Sequence, residues 1–377
     1  MKNVYITGFG SFLPNDPVLN DDIEKYIGKI NDKSTRLGRA TLRRNGIESR
    51  FYALSTEGNQ SFTNAELASY AIKNAASDAK ISLDEIELIA TSTTIGDQFV
   101  PGFASNVHAS LNIENVELAS FQSVCASSIM AMKTAYLNIK AGEKSIVAVS
   151  GSEFASRWFK PDFYKPLYEN NISNDSAMSI EFLRWTLSDG AGSVILEENP
   201  KPKGINLKVE WIELKSFADK FDPCMYAGIV ENRGKDKTYW GEFSSPLEAY
   251  QNGAMVLRQD FELLYEMFPI WLGYYLEILE KYDLSPNEID HYLPHYSAES
   301  LADEMKKLLI KVDALIPETR WFNNLKRCGN TGTASIFIML DEFVRTKELN
   351  VGEKILCFVP ESGQCMASFM LLTVETI

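Results

Sequence analysis

Gln122-Ser-Val-Cys-Ala-Ser-Ser-Ile-Met-Ala-Met-Lys133 is the most informative stretch of this 377-residue chain. Small residues crowd Cys125, and an apolar pattern at helical spacing (Ile129, Met130, Met132, Ala135, Tyr136) begins just after it. That spacing puts Cys125 at or near a helix N-terminus, where unpaired amides and the macrodipole favour a thiolate. A thiolate there is a better nucleophile at neutral pH than a free cysteine of pKa about 8.5. The competing reading is a buried cysteine that packs as a small hydrophobe.

On either side of this segment, short β-branched runs alternate with longer helical patterns, which predicts βα units and a largely parallel sheet. Strands are expected at 4–8, 86–92, 145–150 and 193–196, with a helix over 63–78 opened by the capping-box pair Thr63 and Glu66. Two prolines and a glycine at 198–204 break the pattern and read as a midpoint linker. The same grammar then resumes: strand 206–214, helix 261–282, strand 291–293, helix 298–309, a helix from about Ala334, and strands 354–359 and 367–374. Two halves, 1–200 and 205–377, suggest an internally duplicated α/β fold. The irregular, aromatic-rich segment 159–174 reads as a loop or cap, within an insertion over about 155–185.

Three histidines leave few candidates for imidazole chemistry. His295 follows a short strand that ends at Pro294, the place where α/β folds present functional side chains. His291 lies within that strand and His108 in a helical stretch, and both are read as structural. Gly329-Asn-Thr-Gly332 is a turn running into a helix of small residues. Asn330 there either aims its amide into a site or serves as a turn or cap residue.

Composition narrows the class further. With 51 acidic and 37 basic side chains the formal charge is −14, which argues against a nucleic-acid partner. Five cysteines at irregular spacing fit neither a disulfide framework nor a zinc ribbon. No basic region followed by a long apolar stretch opens the chain, and no apolar run is long enough to span a bilayer. A soluble cytoplasmic protein is expected.

In the order Cys125, Pro294-His295, Gly329-Asn-Thr331, these signals resemble the thiolase superfamily, and specifically the β-ketoacyl-ACP synthase III branch of condensing enzymes. Ile6-Thr-Gly-Phe-Gly-Ser-Phe-Leu-Pro14 is similar to that family's opening strand and turn. Arg44-Asn-Gly-Ile-Glu-Ser-Arg50 resembles its RTGI segment, Asp189-Gly-Ala-Gly192 its DGAGA turn, and Asp290 through His295 its DxxxPH. The resemblance implies a five-layered αβαβα fold, usually a homodimer, with Cys125 as acyl acceptor and His295 and Asn330 assisting condensation. It implies an oxyanion site at the backbone amides of Cys125 and a residue near Ser362. Substrates would be acyl thioesters of acyl carrier protein or CoA, with no other cofactor and no metal.

Departures from the family pattern carry further expectations. Ala40 stands where CoA-accepting members have a tryptophan, while Arg36, Arg39, Arg43 and Arg44 fit docking of an acidic carrier or a pantetheine phosphate. A solvated helix face is the alternative for this arginine run. The usual glycine-rich closing segment reads Pro360-Glu-Ser-Gly363, so Glu361, Ser362 and Gly363 are expected at the oxyanion site or its wall. Glu361 would orient a polar β-keto substrate or manage a proton, or else bond turn amides. Val100 replaces the phenylalanine that gates the partner's acyl pocket, which implies a longer or branched acyl tunnel. The segments Arg157–Tyr164 and Arg184–Asp189 resemble the ketosynthase III-like enzymes of dialkylresorcinol pathways, which join two acyl thioesters and cyclise the product. Fatty-acid initiation with malonyl-ACP, acyl transfer without condensation and a non-catalytic carrier-binding partner are the alternatives.

Overall fold

Strand alternation and two central helices build the architecture. In the computed structural model, which describes residues 2–231 and 237–376, nine strands form one mixed sheet. They are β1 (Tyr5–Phe12), β2 (Leu88–Thr93), β3 (Glu117–Gln122), β4 (Ile146–Glu153), β5 (Gly190–Glu197), β6 (Asn206–Ser216), β7 (His291–Pro294), β8 (Lys354–Glu361) and β9 (Met366–Thr376). Their order is β7-β8-β9-β6-β1-β5-β4-β2-β3. The main helices are α1 (Asp32–Asn45), α2 (Asn64–Ala79), α3 (Phe103–Leu111), α4 (Ser127–Ala141), α5 (Asn174–Thr186), α6 (Phe261–Lys281), α7 (Glu299–Lys311) and α8 (Ser335–Thr346).

The expected duplication is visible in the pairing. β1-β5-β4-β2 runs antiparallel, antiparallel, parallel, and β6-β9-β8-β7 repeats those relations. The two sets meet only where Tyr5 and Ile6 of β1 pair with Lys208 and Leu207 of β6. The first set adds the edge strand β3, parallel to β2.

Alternation of side chains along the strands separates the layers. Leu88, Ala90, Val147 and Val149 face one core with Ile355, Cys357, Val359, Met370 and Leu372. Into this shared core go α4, through Ile129, Met132 and Ile139, and α8, through Phe337, Leu340 and Phe343. The opposite face of the first set, with Ile89, Ala148 and Ile195, carries α2 and α3. The opposite face of the second, with Leu356, Phe358, Phe369 and Leu371, carries α6 and α7. Five layers result: helix, sheet, helix, sheet, helix. Close packing in the first outer layer depends on Gly10, where a Cβ would lie 2.3 Å from the backbone of α2.

One expectation is corrected. The sheet is mixed, with five antiparallel and three parallel neighbours. β4 returns antiparallel into β5 through a long helical insertion, so the periodicity mimics a parallel crossover. β8 and β9 are joined by a tight turn with no helix between them. Strand β3 and the segment between β6 and α6 had no reading from sequence. β3 is a solvent-facing edge without an apolar run, and the described residues of the later segment form short ladders, such as Met225–Tyr226 with Arg258–Gln259, and a short helix at Pro246–Gln251.

The insertion is held down by two arginines. Arg184 and Glu181 form a fully buried ion pair at 2.9 Å, and Arg184 also donates to Ser34 Oγ and to the carbonyls of Gly28 and Phe159. The remaining acceptors matter, because a buried pair repays its desolvation only when its other polar atoms are satisfied. Arg157 pairs with Asp97 and donates to the carbonyls of Ile95 and Gly96, fixing the loop after β2.

Candidate active site

Polar groups converge where strands of both halves end, the usual site position in parallel-strand folds. Cys125 lies between β3 and α4, His295 directly follows β7, Thr94 follows β2, and Ser362 follows β8. Together with Asn330 they line one cavity. It encloses about 1140 Å³ of atom-free space, its open mouth included.

Cys125 is 8% exposed and stands two residues before α4. The expectation of a stabilised thiolate is corrected here. Glu361 already occupies the helix start: its Oε2 accepts from the Ala126 amide at 3.0 Å, its Oε1 from Ser123 Oγ, and the Val124 amide also donates to it. Burial, then Glu361, then Glu153 push the Cys125 thiol well above its ordinary range. Resting Cys125 is therefore a thiol. Burial raises the Glu361 carboxyl as well, and the Ser123 hydroxyl and the Ala126 and Val124 amides at the helix start work against that rise.

His295 is 5% exposed, and burial pulls its imidazole down to about 4, so it is neutral at physiological pH. Its amide donates to Phe358 O at 2.8 Å, which ties the turn to β8. Asn330 is pinned by its backbone: its amide donates to Thr186 O, and its carbonyl accepts from Ser188. Its Oδ1 accepts from the Gly332 amide at 2.9 Å, which leaves the Nδ2 donor for the cavity. The other two histidines are structural. His108 Nε2 meets the carbonyls of Ile113 and Glu114, and His291 Nε2 meets Glu353 Oε2 at 2.9 Å.

Sequence reasoning missed Glu153. It is the last residue of β4, 6% exposed, and lines the cavity. Oε1 accepts from Thr94 Oγ1 at 2.6 Å, from the Thr94 amide at 3.2 Å and from the Thr333 amide at 3.3 Å. Gly332, at φ +53°, closes this cradle, since a Cβ there would lie 2.9 Å from Oε1. Burial raises the carboxyl to about 7. The only sequence signal is an acid ending a strand that opens on an apolar run (Ile146 to Val149). That signal recurs at Glu361 in β8.

The remaining expected positions divide. Ser362 is in the cavity wall, its Oγ donating to Gln259 Oε1 at 3.2 Å. Gln259 and Met225, from the segment that sequence left unread, are lining residues too. Glu361 and Gly363 do not line the cavity but stand behind it, and Gly363 O accepts from the Cys224 amide. Val100 is 81% exposed and is not brought to the cavity of its own chain, and its neighbour Phe99 stacks on Trp240. Arg36, Arg39, Arg43 and Arg44 stand exposed on α1. Among the described residues no cluster of histidine, cysteine and acidic side chains could hold a metal, and no helix is long and apolar enough to cross a membrane.

Away from Cys125 the cavity turns apolar. Phe154, Trp158, Phe182 and Leu183 line it from the insertion side, and Leu264, Phe268, Trp271, Leu301, Ala302 and Met305 line it from α6 and α7. A reactive head and a greasy extension suit a chain-bearing acyl group.

The fold is of the mixed α/β thiolase type, and with this site it defines an acyltransferase-type condensing enzyme. Residues 50–167 match the model of the thiolase N-terminal domain, and residues 279–372 that of the 3-oxoacyl-[acyl-carrier-protein] synthase III C terminal. The first range holds Cys125 and the second holds His295 and Asn330. The chain is 27% identical over 357 residues to a β-ketoacyl-[acyl-carrier-protein] synthase III of Clostridium perfringens, covering 94% of this chain and 95% of that protein. It is 26% identical over 366 residues to the Rickettsia bellii protein of the same name, covering 97% and 98%. Among solved structures it resembles Xanthomonas campestris OleA (TM-score 0.77, 17% identity, covering 99% and 98%). It also resembles 3-oxoacyl-[acyl-carrier-protein] synthase III of Aquifex aeolicus (TM-score 0.72, 22% identity, covering 98% and 99%). These structural likenesses establish the shared fold.

Proposed function

We propose that the chain joins two acyl thioesters through an acyl-Cys125 intermediate, one partner being a β-ketoacyl chain, and yields a cyclohexanedione precursor of a dialkylresorcinol. The observation that carries this reading is one cavity holding Cys125, His295 and Asn330 and opening into apolar wall on two sides. Cys125 takes the first acyl group and releases the carrier thiol, in ping-pong fashion. Because the resting group is a thiol, its proton must leave during attack and goes to the departing thiolate. The backbone amides of Cys125 and Ser362 stabilise the oxyanion. The second thioester then presents its carbonyl to neutral His295 and to Asn330 Nδ2, preorganised donors for the developing enolate. The two apolar walls support a pair of acyl chains rather than one short starter.

In this reading the chain acts as a cytoplasmic homodimer, with exposed Val100 serving the partner's acyl pocket. The arginines on α1 receive an acidic acyl carrier protein or a pantetheine phosphate. No cofactor beyond the thioesters enters the scheme.

The relatives' name favours a second reading, initiation of chain synthesis with malonyl-ACP. The two separate by product mass when labelled malonyl-ACP or a β-ketoacyl thioester is supplied to the acylated enzyme. Incorporation from the β-ketoacyl thioester supports the first reading. Incorporation from malonyl-ACP alone overturns it.

A further inference from the structure

Two acids are buried beside Cys125, and the protein satisfies them unequally. Both oxygens of Glu361 are engaged, one by Ser123 Oγ and the other by the Ala126 amide. Glu153 has all its short contacts on Oε1, and Oε2 meets only the Thr94 amide, shared and long at 3.4 Å. An oxygen with spare acceptor capacity thus belongs to a residue of the cavity wall. The neighbouring cation does not claim it: Arg157 gives its guanidinium to Asp97 and to the carbonyls of Ile95 and Gly96. A buried carboxyl that is neither paired nor fully hydrogen-bonded is costly to keep, which points to a chemical use.

We propose that Glu153 is a catalytic base, whose Oε2 removes the α-proton of the second acyl thioester so that condensation proceeds without loss of a carboxyl group. The proposal rests on the cavity being a condensing site. With Cys125 acylated, the α-carbon C–H bond breaks, the proton passes to Glu153 and the electron pair becomes the enolate held at Asn330 and His295. The enolate carbon forms the new C–C bond at the acyl-Cys125 carbonyl. Collapse of the tetrahedral adduct breaks the C–S bond and expels the Cys125 thiolate, which takes the proton back from Glu153. Carboxylate and thiol are restored, and no further reactant is consumed. The environment that disfavours the Cys125 thiolate makes this return favourable.

Charged and titratable groups near Glu153 come from several elements. Cys125 precedes α4, Glu361 at the end of β8 lies beyond it, Arg157 and Asp97 clamp the loop, and neutral His295 lines the same cavity. The carboxylate fraction of Glu153 grows as pH rises through about 7, so the condensation rate should climb through that range.

The test measures two half-reactions on Glu153→Gln. Intact mass reports acylation of Cys125 by an acyl thioester, and product formation from a second, uncarboxylated thioester reports condensation. We expect acylation no slower than in wild type, since a charge that raises the Cys125 thiol is removed, condensation lowered roughly 10²–10⁴-fold, and loss of the pH-dependent limb. Glu153→Asp should recover part of the rate. Condensation within threefold of wild type overturns the proposal, as does a parallel fall of both half-reactions in the Gln and Asp variants. Failure of wild type to form any acyl-Cys125 adduct overturns the condensing reading itself, a separable outcome.

Discussion

Glu153 ends β4 and Glu361 ends β8, the equivalent strands of the two halves, and each reaches across to the start of the other half's central helix. Glu361 holds amides before α4, while Glu153 accepts from Thr333, two residues before α8. At the meeting point Ser127 and Thr333 hydroxyls lie 2.8 Å apart. From this near-symmetric frame the halves diverge. Ahead of α4 the chain places a thiol, and ahead of α8 it places the Asn330 carboxamide. Glu361 is saturated and withdrawn, whereas Glu153 is in the wall with an oxygen to spare. Duplication supplied two like positions, and the loops around them assigned a locking role to one and an open role to the other.

The outer layers diverge as well. Helix α2 presents Ala68, Ala71, Ala75, Ala76 and Ala79 and packs closely on its sheet. Helix α6 buries larger side chains, Met267, Phe268 and Trp271, and the last two line the apolar cavity.

These contrasts can be broken one at a time. Cys125→Ala, at the head of α4, should abolish the acyl adduct seen by intact mass and take turnover to background; an adduct elsewhere would end the assignment of that turn. Asn330→Ala, at the head of α8, should leave acylation intact and slow condensation on the order of 10²–10³-fold, as loss of one oxyanion donor does. Equal loss in both half-reactions would show that the two helix starts are not specialised.

Glu361→Gln should keep turnover largely unchanged if the carboxylate is only a lock. It should also lower the Cys125 thiol, because the second cause of that raised value is removed. Faster alkylation of Cys125 by iodoacetamide at pH 7 is the expected readout, and an unchanged rate would deny that Glu361 governs the thiol. Ala302→Phe, in the apolar wall, should shift chain preference toward shorter acyl groups. Each methylene that no longer fits costs about 0.8 kcal/mol, roughly fourfold in affinity. A flat chain-length profile would place the acyl chain elsewhere.

Much of this was legible from local chemistry. The capping box at Thr63 and Glu66, the strand ending at Pro294 and the Asn330 turn are signals of a few adjacent residues, and each element formed where those signals stand. Strand direction was not legible, because the insertion between β4 and β5 carries helices and imitates a parallel crossover. Glu153 was not legible either, since nothing within its own strand says that Thr94 and Thr333 will cradle it.

By itself, then, the sequence determined which residues carry reactive groups and most of the segments that become strands and helices, β3 excepted, since those follow from side-chain type and short-range spacing. Tertiary structure decided the protonation states and the roles. Cys125 is a thiol because the fold buries it and, second, because Glu361, 236 positions away in the chain, takes up the amides at the helix start. Glu153 and Glu361 look alike in sequence and differ through groups brought from elsewhere in the chain, Thr94 and Thr333 for the one and Ser123 and Ala126 for the other. Electrostatics in a buried site depends on distance through space, and the fold alone sets that distance.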